Sequence, residues 1–206
     1  MSDSDLRRRY IEGAPRAPEG HFSLRDIVGA EGPIELDIGF GRGQSLIERA
    51  AVAPASQIVG IEVKSKWAYK VNARIEALGV SNVQVLCGDA REILKRSGPE
   101  GIVDKVAIHF PDPWWKKRHR KRMVVGEALL RELSRLLGKG GEIFIQTDVE
   151  DRAEDYRRAI EETDGLALAA RTGFVDDNPF DARSNREHRA IEDGLPIWRI
   201  LARRVP

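Results

Sequence analysis

The sequence predicts an α/β fold: a doubly wound, mostly parallel sheet with helices on both faces. From Pro33 onward, short apolar runs typical of buried strands alternate with stretches in which apolar residues recur at helical spacing. This alternation indicates a parallel sheet, because a parallel strand is reached only through a crossover connection. The predicted strands are 34–38, 57–61, 82–86, 103–110, 142–146, 166–170 and 197–202, and the predicted helices are 44–53, 65–78, 90–96, 122–137 and 150–162.

The length and composition suit one domain with its own core, since the 206 residues are 41% hydrophobic. Residues 1–32 contain Arg, Pro and Gly but no sustained apolar period, which predicts an N-terminal arm, partly flexible at its start. The domain proper is expected at residues 33–206. A polar stretch of more than 20 residues joins the last two predicted strands, and loops of that length are usually functional or mobile.

Composition also excludes several classes of protein. No apolar run approaches the roughly 20 residues that span a bilayer, so we expect no membrane segment and a cytoplasmic location. Cys87 is the single cysteine, which excludes an internal disulfide, and the four histidines are too scattered to predict a metal site. The net charge of +1 gives no overall attraction to nucleic acid, so such attraction must come from local clusters. Both a monomer and a homodimer are compatible with the sequence.

A glycine-rich segment follows the first predicted strand and reads Asp37-Ile38-Gly39-Phe40-Gly41-Arg42-Gly43. Alternate glycines let the backbone turn sharply and let a ligand approach the peptide groups closely. The spacing differs from the G-x-G-x-x-G of dinucleotide folds, and the acid before the first glycine suits a ligand that is cationic or rich in N–H donors. The alternative is a tight turn without chemical function.

Acidic residues also follow the next two predicted strands, Glu62 after the second and Asp89 after the third. In a doubly wound sheet such strand ends line a single crevice where ligands bind. Glu62 is placed to accept hydrogen bonds from a ribose diol, and Asp89 from an adenine amino group. Taken singly, either acid is also explained as a helix N-cap or a solvated loop residue.

These residues resemble the cofactor motifs of class I S-adenosylmethionine-dependent methyltransferases, which have a Rossmann-like sheet. The resemblance implies S-adenosylmethionine as cofactor, bound by Asp37, Gly39, Gly41, Glu62 and Asp89. A second motif is more specific: the string HFPDPWWKKRHRKR, from His109 to Arg122, resembles the signature of the tRNA (guanine-N7-)-methyltransferase family. The similarity extends from about Pro33 to Arg199. It implies methyl transfer to N7 of guanine in tRNA, at position 46 of the variable loop.

Asp112 is the expected catalytic residue and a further cofactor contact, since Pro111 and Pro113 hold it in a rigid, extended turn. Its carboxylate can accept from the N1–H and the exocyclic amine of guanine, and can offset the positive charge that methylation creates on the ring. Trp114 and Trp115 can stack a base, although one of them is better explained by core packing. Lys116 opens a basic run ending at Arg122 that can contact phosphates, but such runs are usually solvated.

The predicted substrate-binding residues are Lys116, Asp148, Ser184, Asn185, Arg186 and Glu187. The last four occupy the place of a Thr-Lys-Phe-Glu pattern in the similar family, with a hydroxyl and the acid kept and the middle pair changed. Asp148 follows Thr147 at a strand end and is alternatively a helix cap. Two other functions remain open: a methyltransferase of this fold acting on another RNA, a small molecule or a protein, and a catalytically silent tRNA-binding subunit.

Overall fold

The computed structural model describes residues 2–111 and 124–206. The expectations for Asp112, Trp114, Trp115, Lys116 and the rest of the basic run therefore concern residues outside the described ranges. In the described ranges, no helix combines the length and the apolar character needed to cross a membrane.

The elements follow one another as an alternation of helices and strands. The helices are α1 (Asp3–Gly13), α2 (Leu24–Val28), α3 (Gln44–Val52), α4 (Ser65–Leu78), α5 (Ala90–Lys95), α6 (Glu127–Leu136), α7 (Glu150–Glu161) and α8 (Asn185–Glu192). The strands are β1 (Phe22–Ser23), β2 (Ile34–Ile38), β3 (Gln57–Glu62), β4 (Val83–Cys87), β5 (Ser97–Gly98), β6 (Val103–His109), β7 (Leu137–Thr147), β8 (Leu166–Leu168) and β9 (Trp198–Arg204).

In the described part of the chain, seven strands form one sheet in the order β4-β3-β2-β6-β7-β9-β8. The first five of these are parallel to their neighbours, and β9 runs antiparallel to both β7 and β8. The chain leaves β2 toward β3 and β4 and then returns to place β6 on the other side of β2. This reversal is the topological switch point at which α/β sheets bind ligands.

Both faces of the sheet are covered by apolar clusters, because successive residues of a strand point to opposite faces. In β3, Val59 and Ile61 belong to the cluster that contains buried residues of α5, α6 and α7. Ile58, the residue before Val59, points to the opposite face and joins the cluster that contains residues of α3 and α4. The structure thus confirms the predicted mostly parallel sheet with helices on both faces.

The N-terminal residues contain more structure than the predicted arm. The helix α1 begins with a capping box in which Ser2 and Asp5 exchange hydrogen bonds. It lies on α4, where Arg9 Nε donates to Tyr69 Oη at 2.9 Å. Leu24 of α2 is fully buried in the same cluster as β2, so the core begins before residue 33. The boundary between an arm and a domain stays a prediction.

Two other elements differ from their predicted form. α6 ends at Leu136, just before Gly138, Gly140 and Gly141, as expected, but β7 begins at Leu137 and not at the predicted residue 142, so these glycines lie within the strand. Leu137 pairs with Val103 of β6, which extends the strand back to the end of α6. The long polar loop contains α8, which the sequence pattern does not reveal because only Glu187 and Ala190 of this helix are buried.

A buried ion pair anchors β2 to α3. Glu35 accepts two hydrogen bonds from Arg49, at 2.7 and 2.8 Å, and one from Ser56 at 2.8 Å. Burial alone would raise the pKa of Glu35, but these hydrogen bonds outweigh burial and lower it. Arg49 also donates to the backbone carbonyl of Phe180 at 2.7 Å, so the same guanidinium attaches the segment that precedes α8.

We expect Arg49→Met to lower the free energy of unfolding by about 3 to 5 kcal/mol, because it leaves the Glu35 carboxylate buried without its cation. Equilibrium unfolding in urea measures the loss. Adding Glu35→Gln should recover part of it, since the double variant holds no unpaired buried charge.

The matched control is Arg203→Met, which removes an exposed guanidinium that pairs with Glu142 at 3.1 Å. An ion pair of this kind contributes about 1 kcal/mol or less. If Arg49→Met were no more destabilising than Arg203→Met, the Glu35–Arg49 pair would not be the anchor described here.

Candidate active site

A crevice of about 850 Å³ opens at the carboxyl ends of β4, β3, β2, β6 and β7. It brings together eight of the predicted site residues, which are Gly39, Gly41, Glu62, Asp89, Asp148, Ser184, Asn185 and Arg186. Asp37 and Glu187 do not line it, and Asp112 and Lys116 lie outside the described residues. The crevice therefore unites residues that are up to 147 positions apart in sequence, as a topological switch point should.

The glycines of the first turn have two different roles. Gly39 and Gly41 have φ angles of +75° and +54°, and a Cβ added to either would meet no described atom within 4 Å. The space beside both Cα atoms is therefore open, so a ligand can approach the backbone closely here. A Cβ on Gly43 would lie 2.5 Å from Val71 of α4, so this third glycine is required by helix packing.

Glu62 holds the glycine turn against the end of β3. Its Oε2 accepts the Gly41 N–H at 3.0 Å, and its Oε1 accepts the Lys64 N–H at 2.8 Å. The residue is 5% exposed and lines the crevice. Each carboxylate oxygen has about two acceptor sites, so Glu62 keeps acceptor capacity for a ligand hydroxyl.

Asp89 combines the two interpretations that the sequence leaves open. Its side chain caps α5 by accepting the Arg91 N–H at 3.0 Å, and it also pairs with the Arg91 guanidinium. The hydrogen bond from the Arg91 side chain lowers the pKa of Asp89. The residue lines the crevice as well, so an ionised acceptor stands at its β4 end.

Asp37 lies in the interior and not in the crevice wall. Its Oδ2 accepts from Ser45 at 2.6 Å, while Oδ1 has no hydrogen-bond partner within the described residues. Burial raises the pKa of Asp37, and nearby His109 and the hydrogen bond from Ser45 offset only part of this effect. A direct contact between Asp37 and a ligand, as the sequence predicts, is therefore not what this geometry presents.

Glu187 is also placed differently from the expectation of a substrate contact. It is fully buried, and its carboxylate accepts from Gln146 at 2.7 Å, Asn178 at 3.3 Å and Arg199 at 3.4 Å. The physical reason is that α8 turns this side chain toward the sheet, where Arg199 compensates its charge. Gln146 Nε2 is also 2.7 Å from Nδ1 of His109, which lines the crevice. The network thus attaches α8 to the ends of β6 and β7.

Asp148 and Arg186 both line the crevice and form an ion pair there. Arg186 Nη2 donates to Asp148 Oδ2, which joins the end of β7 to the first turn of α8. The alternative role of Asp148 as a helix cap is not realised, because Val149 occupies the N-cap position of α7. The predicted site residue that does cap a helix is Ser184, which lies at the start of α8 and accepts the Glu187 N–H at 3.2 Å.

Sequence reasoning missed the residues of α3 that hold α8 in place. Glu48 accepts the Arg183 N–H at 2.7 Å and lies 3.0 Å from Nε2 of His188. Burial of Glu48 raises its pKa, but hydrogen bonds from Gln44, Arg183 and His188 outweigh burial and lower it. No sequence signal identifies Glu48. For Arg49 there is one: Glu35 alternates with apolar residues in a buried strand, and a buried acid is commonly paired with a cation.

No group of three or more His, Cys, Asp or Glu side chains is arranged to hold a metal ion in the described ranges. The polar side chains that line the crevice include the carboxylates of Glu62, Asp89 and Asp148, which accept hydrogen bonds, and the guanidinium groups of Arg186 and Arg189, which donate them. They suit an organic ligand with polar groups at several points along its length.

The chain is similar to known proteins over most of its length. A family model described as "Putative methyltransferase" (Methyltransf_4) matches residues 31–200. The tRNA (guanine-N(7)-)-methyltransferase of Aeromonas hydrophila is 34% identical over 199 residues, which cover 95% of this chain and 82% of that one. The enzyme of the same name from Synechococcus sp. (strain JA-3-3Ab) is 36% identical, covering 81% and 70%.

Solved structures show the same fold. The 16S rRNA methyltransferase KamB superposes with a TM-score of 0.64 at 17% identity, covering 89% of this chain and 93% of that one. This likeness concerns the fold alone, whereas the family match and the two relatives concern the sequence over most of its length. The chain therefore belongs to the tRNA (guanine-N(7)-)-methyltransferase family of methyltransferases.

Proposed function

We propose that this protein transfers the methyl group of S-adenosylmethionine to N7 of a guanine in tRNA. The observation that carries the proposal is that the crevice has two halves of different chemistry. The ends of β4, β3 and β2 form one half, and the ends of β6 and β7 together with α8 form the other.

The first half fits the cofactor. Asp89, Glu62 and the Gly39–Gly41 turn follow one another along adjacent strands, which lie about 4.8 Å apart. An adenosine that carries an amino-acid chain can therefore place its adenine amine at Asp89, its ribose at Glu62 and its amino-acid part at Gly39 and Gly41. Asp37 supports this half indirectly, as the buried neighbour of the turn.

The second half fits a purine. Its crevice-lining residues include Asp148, Ser184, Asn185 and Arg186, and the buried Glu187 attaches their helix α8 to β7. Guanine presents donors at N1 and N2, whereas adenine has an acceptor at N1 and only hydrogen at C2. A carboxylate such as Asp148 therefore favours guanine over adenine. Asp112 and Lys116 complete this half in the proposal, as a second acceptor and a phosphate contact.

When bound, S-adenosylmethionine supplies an electrophilic methyl group on a sulfonium. The N7 lone pair of guanine forms the new bond to carbon as the bond between sulfur and carbon breaks, so no proton has to be removed. The protein's contribution is alignment of the two reactants and stabilisation of the cationic product. We assign the second task to Asp112 and to Asp148, whose negative charges offset the charge of 7-methylguanine.

The relatives named above act on tRNA by their names, and this supports tRNA as the substrate here. The finer proposal, from the sequence resemblance, is the guanine at position 46 of the variable loop. A tRNA substrate implies a cytoplasmic enzyme. The crevice is built from one chain, so the proposal holds for a monomer and for a homodimer.

The proposal predicts that the purified protein, given labelled S-adenosylmethionine and unmodified tRNA, produces 7-methylguanosine on nucleoside analysis. In the same assay, Asp112→Asn should lower turnover on the order of a hundredfold, by analogy with the loss of one electrostatic stabiliser. Label in a protein or small molecule instead of tRNA would contradict the proposed substrate. Binding of tRNA without transfer of label would indicate a silent subunit.

A second prediction concerns the cofactor half. Glu62→Gln should weaken binding of S-adenosylmethionine by roughly 1.5 to 3 kcal/mol, because an amide replaces the charged acceptor of the ribose hydroxyls. Isothermal titration calorimetry measures the change.

Asp148→Asn is the matched control, since it removes the same charge from the other half of the same crevice. Its dissociation constant for the cofactor should stay within about twofold of the wild type. Equal weakening by the two substitutions would show that the crevice is not divided as proposed.

A further inference from the structure

The pairing of Asp148 with Arg186 leaves the two partners in different surroundings. The Asp148 side chain is 12% exposed, and the Arg186 side chain is 63% exposed. The Asp148 carboxylate therefore lies at the end of β7 with little exposed surface, while most of the Arg186 side chain lies in solvent. Arg186 can leave Asp148 without any rearrangement of the core, and Asp148 then lines the crevice as a carboxylate without its arginine partner.

The N–H donors of the Arg186 guanidinium resemble those on the edge of guanine, the proposed substrate base. A guanidinium group presents planar N–H donors to a carboxylate, and the edge of guanine presents N1–H and N2–H donors side by side. A carboxylate that binds one can bind the other with little change of position. Adenine cannot replace Arg186 in this way, because its N1 is an acceptor.

The face of α8 that carries Arg186 also offers a second location for the guanidinium. Arg189 lies one helical turn further along and lines the same crevice, so two cations face the space that an RNA chain would enter. Phosphate groups accept charge-assisted hydrogen bonds from arginine. An incoming RNA therefore supplies both a new acceptor for Arg186 and a new donor for Asp148.

We propose that Arg186 is a specificity-determining residue that occupies the place of guanine in the RNA-free protein. On tRNA binding, Arg186 moves from Asp148 to an RNA phosphate, and the guanine edge takes its place on Asp148. The exchange is complete only for guanine, because no other base presents two adjacent N–H donors to the Asp148 carboxylate. This inference rests on the proposed function and assigns the guanine-binding role within it.

The test measures tRNA binding in the presence of S-adenosylhomocysteine over a series of salt concentrations. Arg186→Gln should reduce the slope of log Kobs against log salt by about 0.7 to 0.9, the value for one lost phosphate contact. Arg186→Lys should keep the slope, since the cation remains.

The matched control is Arg131→Gln on α6, which removes another exposed arginine that pairs with an acid, Glu127, outside the crevice. Its slope should equal that of the wild type.

Steady-state kinetics separate the exchange from a fixed structural contact. If Arg186 leaves Asp148 on binding, Arg186→Gln raises KM for tRNA several-fold, with about threefold or less effect on kcat. A fall in kcat of about tenfold with KM unchanged would show that Arg186 stays on Asp148 in the complex, and would overturn the inference.

A wild-type slope for Arg186→Gln would also overturn the inference. The proposed function would still stand if the wild type methylates tRNA in the steady-state assay with S-adenosylmethionine. Failure of the wild type to bind or methylate tRNA would instead contradict the proposed function, and the inference with it.

Discussion

Arg49 is the residue on which the relation between the fold and the site depends. The central strand β2 contains a buried acid, Glu35, that is tolerable in the interior only because Arg49 neutralises it. A further N–H of the same guanidinium binds the carbonyl of Phe180, which lies far along the chain. One side chain therefore connects the sheet, the helix α3 and the segment that leads into α8.

The helix α3 is consequently shared by the two halves of the crevice. It begins directly after Gly43, the last glycine of the turn that follows β2. Its Glu48 binds the backbone of Arg183 and the ring of His188, on the α8 side of the crevice. From the other side, the buried Glu187 attaches α8 to β7 and β9. The two halves are thus held at a fixed separation, which an aligned methyl transfer requires.

The sequence was sufficient to predict the sheet and the meeting of Gly39, Glu62 and Asp89 at one crevice, because both depend on local patterns. Alternating apolar runs predicted β2 and α4 with the bounds observed, Asp89 follows β4 as expected, and Glu62 is the last residue of β3. The α8 side of the crevice depended on contacts between residues distant in sequence, 38 positions apart for Asp148 and Arg186 and 140 for Glu48 and His188. The burial of Glu187 and the pairing of Asp148 with Arg186 are set by how α8 packs, and this polar helix has too few apolar residues to show a period.

Amide hydrogen exchange tests most directly whether Arg49 connects the sheet to α8. The comparison is between Arg49→Met and Leu133→Ala, a core truncation in α6 expected to cost a similar amount, about 2 to 5 kcal/mol. In Arg49→Met, the α8 amides of His188 and Asp193 should exchange about tenfold faster than in Leu133→Ala, because their attachment to α3 opens locally. Equal exchange of these amides in the two variants would contradict the account.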